Sequence, residues 1–451
     1  MKDQKERPNI ITIMTDDQGY GDLSCMGSAD IASPHFDRLA ASGARFESFY
    51  SNSPVCSPSR ASLLTGRYPA YAGVRAILAG RRTTTGLRAE TPTIAAALKK
   101  LGYHTALIGK WHLGLAPECR PAQNGFDYFY GFMAGCIDYY SHIFYWGMAD
   151  GRANPCHDLW ENNDEVWNNG QYFTDLISNK AVEYIREKCR ESDSGSRRPF
   201  YLYLGYNAPH YPRHAPQKYL DRFARLPWDR QVMAAMLSAV DDGLGAIMDE
   251  LERQGQLDNT VICFQSDNGP SRESRNWLDG REDPYYGGSS GKFKGHKFSL
   301  FEGGIRVPAM ISWPGRIPAG QVITEPAVSM DFFPTLLKLA GGNPEDYRLD
   351  GRDIMPMLTE KAPSPHEAIF WEMDKQTALR KGDYKLVLNG VLVEEGPCKE
   401  EVFLANLAED PGEKTNLAGE LPRIAGELRA EAEEWRAALE KHWAAEKGKA
   451  L

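Results

Sequence analysis

Four short apolar runs constrain this chain more than any other feature, because each ends in a cluster of polar residues. Ile10–Met14 ends at Thr15-Asp16-Asp17, and His104–Ile108 at Gly109-Lys110-Trp111-His112. Phe200–Gly205 ends at Asn207-Ala208-Pro209-His210, and Val261–Gln265 at Ser266-Asp267-Asn268-Gly269. An unbroken apolar run suits a strand covered on both faces, as in a parallel sheet. In open α/β sheets the ligand sits beyond the carboxyl ends of the strands. Four polar clusters at four strand ends therefore predict one shared site.

Helix signals fall between these runs. Ser33-Pro34 offers an N-cap with proline at the first helical position, and Gly43 closes that helix. Thr91-Pro92 opens a helix over 93–101 closed by Gly102, and Asp331 precedes one over 332–340 closed by Gly341-Gly342. Early proline and late glycine is the expected asymmetry. Strands alternating with helices over residues 1–363 predict a doubly wound α/β domain, a large mixed sheet flanked by helices. Segments 114–175 and 270–296, rich in Gly, Asn, Tyr and Trp, read as long loops over the site. Ser192–Ser196 reads as an exposed turn. Ala362-Pro363-Ser364-Pro365 reads as a linker to a small C-terminal α+β subdomain, 364–451. There, strands are expected at 368–372, 377–380 and 384–388, with a terminal amphipathic helix over 422–447.

Composition closes off several classes. The 451 residues carry 52 basic and 61 acidic side chains, a net charge of −9. That excess argues against non-specific binding to nucleic acid or to an anionic membrane. No apolar run approaches the ~20 residues that cross a bilayer. The first residues show no secretory h-region, so a cytoplasmic location is expected. The eight cysteines (25, 56, 119, 136, 156, 189, 263 and 398) form no CxxC pair, and reduced thiols are expected.

The most specific stretch is Val55-Cys56-Ser57-Pro58-Ser59-Arg60-Ala61-Ser62-Leu63-Leu64-Thr65-Gly66-Arg67. Pro58 marks the start of a helix and Gly66 its end, which puts Cys56 just before a helix N-terminus, where an anion is favoured. Arg60 lies one turn along on the same side, and its planar guanidinium suits a tetrahedral oxyanion. The pattern C-x-P-S-R-x-x-L-x-T-G resembles the signature of type I sulfatases, in the alkaline phosphatase superfamily. Asp16-Asp17 with Gly19-Tyr20-Gly21-Asp22, Gly109–Gly114, Ala208-Pro209-His210, Ser266–Gly269, Glu302–Pro308 and Asp410–Leu417 resemble that family's other motifs, in order. The resemblance implies an alkaline-phosphatase-like fold and a sulfuric ester hydrolase. It implies that a separate maturation enzyme oxidises Cys56 to formylglycine, whose hydrate is the nucleophile.

Asp16, Asp17, Asp267 and Asn268 offer only oxygen donors, which suit Ca²⁺ or Mg²⁺ rather than Zn²⁺. The resemblance implies one divalent ion, usually calcium, with the residue at 56 completing its shell. Lys110 and His112 are two apart, so in an extended segment they point the same way. The family pattern places a sulfate-contacting lysine five residues before the Glu of E-G-G, which selects Lys297. It leaves Lys292 and Lys294 to a solvated loop. His296 stands where the family commonly has glycine. By resemblance His210 protonates the leaving alcohol, His112 helps the intermediate collapse, and Ser141 falls near a sulfate-contacting serine. Trp111, Tyr139, Tyr140 and Trp146 are candidates for stacking on a sugar or for packing. The expected substrate is a small sulfated mono- or disaccharide. Two rival readings are a phosphonate or phosphodiester hydrolase of the same superfamily and a sulfoglycan-binding protein whose Cys56 is never matured.

Overall fold

The computed structural model describes residues 7–144, 155–193, 198–272, 275–276, 281–282, 286–392, 396–397 and 400–449. At its centre is a ten-stranded sheet. In chain order its strands are β1 (Asn9–Thr15), β2 (Ala44–Phe46), β3 (His104–Lys110), β4 (Tyr128–Phe132), β5 (Trp160–Glu161), β6 (Asp164–Glu165), β7 (Phe200–Gly205), β8 (Thr260–Ser266), β9 (Ala309–Ser312) and β10 (Gln321–Ile323). Across the sheet they lie in the order β10-β2-β9-β8-β1-β7-β3-β4-β5-β6. The four apolar runs are thus the four adjacent strands β8, β1, β7 and β3, all parallel. Every residue of β1, β7 and β8 is buried, which is why their sequences do not alternate. β9 runs antiparallel to both β8 and β2, so the sheet is mixed.

The longer helices are α1 (Pro34–Ala41), α2 (Cys56–Thr65), α3 (Ile94–Lys100), α4 (Phe173–Asp193), α5 (Trp228–Arg253), α6 (Phe332–Leu339) and α7 (Pro422–Lys449). α1 starts at Pro34 after Ser33 as the sequence indicates. α3 differs: the cap is Thr93, whose hydroxyl accepts from the Ala96 N–H at 3.1 Å, so Thr91-Pro92 lies outside the helix. Segment 114–175 is not one loop. β4 pairs parallel with β3, and β5 pairs with β4. The aromatic residues of Tyr128–Phe132 are strand formers rather than a binding surface. Of the expected turn at 192–196, α4 takes residues up to Asp193 and the remainder lies outside the described residues.

After residue 363 the chain forms an antiparallel sheet of β11 (Ile369–Met373), β12 (Gln376–Lys381), β13 (Tyr384–Leu388) and β14 (Val402–Asn406). One face packs Leu379, Leu386 and Leu404 against Leu428 and Ala432 of α7. The other packs Trp371, Ala378 and Val387 against Tyr50, Phe301 and Ile305 from the chain before residue 363. No disulfide joins the described cysteines, and no described helix is long and apolar enough to cross a membrane.

Candidate active site

The parallel strands β1 and β8 deliver their terminal residues to adjacent positions. Asp16, Asp17, Asp267 and Asn268 are all buried there. The Asp17 N–H donates to Asp267 Oδ1 (3.1 Å), and Asn268 Nδ2 donates to Asp17 Oδ1 (2.8 Å). Cys56 is not before α2 but is its first residue, with extended Val55 as the cap, because Pro58 fits within the first turn. Its Sγ donates to Asp16 Oδ1 at 3.3 Å. Ligand atoms of Asp16, Asp17, Cys56 and His210 lie within 4.8 Å of one another.

Three cations meet these carboxylates. Lys110 Nζ, at the end of β3, donates to Asp16 Oδ2 (2.5 Å). Arg60 Nη2 donates to Asp267 Oδ2 (2.8 Å) and lies 3.6 Å from Asp16 Oδ1. Lys297 Nζ donates to Asp17 Oδ2 (3.0 Å) and lies 3.5 Å from His210 Nε2. His210 Nδ1 faces the Tyr211 carbonyl at 2.6 Å, so the ring is held with Nε2 towards Lys297. The segment after β3 is not extended at His112, whose backbone is left-handed at φ 53. The turned ring places Nε2 on the Leu78 carbonyl (3.1 Å) and packs against Gly135, where a Cβ would come within 2.9 Å of it.

Burial sets the electrostatics. It pushes the Asp17 carboxyl up, but Lys297 and His210 hold it well below the usual range. Burial and the neighbouring Asp16 carboxylate push Asp267 up to about 7 despite its Arg60 ion pair. Burial and Asp16 also push the Cys56 thiol well above its ordinary value. Burial opposes the charge on Lys110, but Asp16 raises its pKa on balance. Burial, Lys110 and Arg60 depress His112 well below the ordinary histidine value, which keeps its ring neutral.

Three polar atoms in this cluster are buried without a hydrogen-bond partner, Asn268 Oδ1, His112 Nδ1 and Arg60 Nε. The cluster opens into a cavity of about 230 Å³ lined by Cys56, Leu78, His112, His210, Tyr211 and Lys297, among others. Asp16, Asp17, Cys56, Arg60, Lys110, His112, His210, Asp267, Asn268 and Lys297 therefore converge.

Ser141 does not join them. Its Oγ donates to Asp138 Oδ1 (2.8 Å) as part of a turn capped by that carboxylate, and it is absent from the cavity wall. Lys294 is half-buried over the rings of Phe301 and Phe403, at 4.4 and 4.2 Å, rather than in a solvated loop, whereas Lys292 is exposed. Trp111 is buried with its Nε1 on the Cys119 carbonyl (3.0 Å), and half-buried Tyr140 packs on Tyr172. Trp146 lies outside the described residues. Buried Tyr139 supports the site from behind, its hydroxyl reaching the carbonyls of Asn207 (2.8 Å) and His210 (3.0 Å). The sequence reading missed Tyr203, whose hydroxyl lies 3.3 Å from Arg60 Nη1. The available signal was a pair of tyrosines, Tyr201 and Tyr203, inside an otherwise apolar buried strand, of which Tyr203 is the nearer to the strand's carboxyl end.

Residues 8–342 match the Sulfatase family model, and residues 291–437 match one described as N-sulphoglucosamine sulphohydrolase, C-terminal. Arylsulfatase J of Mus musculus is 33% identical over 373 residues, covering 82% of this chain, which in turn spans 58% of that protein's length. N-acetylgalactosamine-6-sulfatase of Canis lupus familiaris is 33% identical over 400 residues, covering 84% of this chain and 71% of its own. The crystal structure of Ps i-CgsB in complex with k-i-k-neocarrahexaose is similar with a TM-score of 0.83 at 33% identity, covering 95% of this chain and 93% of that one.

Proposed function

The chain belongs to the sulfatase family, and from that membership we propose that it hydrolyses a sulfate monoester of a saccharide to the alcohol and inorganic sulfate at the Cys56 cluster. The observation that carries this reading is the meeting of Cys56, an oxygen-donor cage and three cations at one cavity.

The donor set fits a divalent cation. Asp16, Asp17, Asp267 and Asn268 are hard oxygen donors, and Asn268 Oδ1 is buried with its valence unused. Burial, with the Asp16 carboxylate beside it, pushes Asp267 up to about 7 despite Arg60, a strain that a bound cation would relieve. Calcium suits such a cage, and magnesium is the alternative. Formylglycine in place of Cys56, made by a separate maturation enzyme, would supply the nucleophilic oxygen, and the bound cation the charge that eases its deprotonation.

The chain's own side chains do the rest. Arg60, Lys110 and Lys297 place positive charge where the sulfonyl oxygens gain negative charge, in a water-poor site where each counts for more than in solvent. His210 holds a proton at Nε2 and delivers it to the leaving alcohol. His112, neutral and with Nε2–H on the Leu78 carbonyl, takes up a proton at Nδ1 as sulfate departs.

A sugar is favoured as the alcohol because similar proteins are named for N-acetylgalactosamine 6-sulfate or solved with neocarrahexaose. A cavity of about 230 Å³ has room for one ring with its sulfate. The test is a rate panel for the matured protein on an aryl sulfate, an aryl phosphonate and sulfated monosaccharides. Sulfate release from the esters, with the phosphonate slower, is expected. Faster turnover of the phosphonate would overturn the reading in favour of a phosphonate hydrolase.

A further inference from the structure

One large exposed aromatic side chain has no role in the chemistry above. Trp167 is 64% exposed, and it is not stranded on a loop without support. Its indole stacks on the His157 ring at 3.6 Å between centroids and an interplanar angle of 13°. The His157 side chain beneath is 6% exposed, so one indole face is covered and the opposite face meets solvent.

The support continues to the cavity wall. His157 Nδ1 lies 3.1 Å from Glu165 Oε1, and Arg82 Nη2 donates to the same oxygen at 3.0 Å. Arg82 also covers the Trp160 ring at 5.3 Å. Two residues earlier, Gly80 lines the catalytic cavity and packs so tightly on Phe144, another wall residue, that a Cβ there would meet the ring at 2.3 Å. The strand carrying Phe144 is in turn paired with the strand carrying His157. The Trp167 platform is therefore fixed to the cavity wall at two points, through Arg82 and through the strand pair. Between Gly80 and Arg82 stands Arg81, exposed and without an ion pair among the described residues. In a chain of net charge −9, an exposed arginine next in sequence to a residue of the cavity wall adds local positive potential.

We propose that Trp167 and Arg81 form a second saccharide subsite, which holds the sugar next to the sulfated ring and prefers one with an anionic substituent. The polarised C–H face of a pyranose lies against the negative face of the indole, and the guanidinium of Arg81 pairs with a carboxylate or sulfate on that sugar. Arg82, Glu165 and His157 are positioning residues that hold the indole in place. This inference rests on the sulfated-saccharide reading and deepens it: the substrate class is an acidic oligosaccharide rather than an isolated sulfated sugar.

The test compares kcat/KM for the parent protein, Trp167→Ala and Arg81→Gln. The substrates are an aryl sulfate and three disaccharides with one common sulfated ring, whose neighbour is a uronate, a sulfated galactose or a neutral galactose. Trp167→Ala is expected to lower the disaccharide-to-aryl-sulfate ratio about tenfold for all three. Arg81→Gln should lower it about tenfold for the uronate or sulfated neighbour and spare the neutral one. Ratios within about twofold of the parent for both variants, set against those tenfold expectations, overturn the subsite. Absence of sulfate release from every compound by the parent protein would sink the sulfatase reading instead. The subsite is then decided by calorimetric titration with the same disaccharides, where equal affinity of parent and Trp167→Ala overturns it and weaker binding by the variant upholds it.

Discussion

The molecule buries two clusters of charge, and they are built for opposite ends. The first joins Asp16, Asp17 and Asp267 to Arg60, Lys110 and Lys297 at the strand ends. The second lies between the large sheet and the C-terminal sheet. There Glu302 accepts from Tyr50 (2.8 Å), Arg306 (2.9 Å) and Lys385 (2.9 Å), Lys385 also pairs with Glu413 (3.0 Å), and Glu413 accepts from the Glu302 N–H (2.6 Å). In the second cluster each ion has a counter-ion, and only Arg306 of these residues borders a cavity, one it lines with Tyr20, Glu47 and Lys292. Each cluster holds a buried polar atom without a hydrogen bond, Glu413 Oε1 in the second and Arg60 Nε, His112 Nδ1 and Asn268 Oδ1 in the first, but only the first opens into a cavity lined by one of those residues, His112, and forces three carboxylates together. Burial of charge is common to both, so burial by itself does not mark a reactive centre. Unused valence on a residue of the cavity wall itself, as at His112 Nδ1, does.

This contrast can be broken by substitution. Glu302→Ala leaves Lys385 and Arg306 buried without their shared partner and should destabilise the fold by about 3–5 kcal/mol, read from urea unfolding. The rate of the molecules that remain folded should be nearly that of the parent. Lys110→Ala should do the reverse, lowering kcat on an aryl sulfate by about 10²–10³-fold with a smaller change in unfolding free energy. If either substitution shows the other's pattern, the division between the two clusters fails. Added Ca²⁺ should raise the thermal midpoint, by an amount equivalent to about 2.7 kcal/mol at a hundred times its dissociation constant. Asp17→Asn should blunt that rise, whereas Glu302→Gln should leave it in place. Tyr203→Phe, which removes a 3.3 Å neighbour of Arg60, should cost about 0.5–1.5 kcal/mol in the barrier on an aryl sulfate.

The smallest effect expected is a pH slope in the closed cluster. Burial opposes it, but Lys385 and Arg306 pull Glu302 down to about 2 from an unfolded value of 4.5. Its contribution to stability is therefore present above pH 4.5 and is lost as pH falls towards 2. Burial and Glu302 push Glu413 up to about 7 from 4.5, so the folded chain keeps a proton that the unfolded chain releases. Stability from that residue falls as pH rises between 4.5 and 7. Glu413→Gln should flatten the slope in this upper window, as read from urea midpoints across it. An unchanged slope would show that Glu413 titrates normally.

Most of the candidate site was legible in the sequence because strand ends carry it. The runs ending at Asp16-Asp17, Lys110, His210 and Asp267-Asn268 are four neighbouring parallel strands, so local pattern and tertiary position coincide. The motif around Cys56 was legible because proline and glycine bracket a short buried helix. Where a long-range contact decides, the sequence says less. Lys294 is drawn out of solvent by Phe301 and Phe403, the latter more than a hundred residues away. Ser141 is claimed by a carboxylate three residues before it. β4 is hidden in a stretch whose aromatic content equally suits a loop. The rim around Trp167 is assembled from three separate segments joined by Arg82, Glu165 and His157, and no single stretch announces it.

The most direct measurement is release of inorganic sulfate from an aryl sulfate by the chain and by Cys56→Ala, both co-produced with a formylglycine-generating enzyme. The account predicts steady release by the parent chain, with its Cys56 peptide lighter than encoded, and none above background by the variant. Equal release by the two proteins would contradict it.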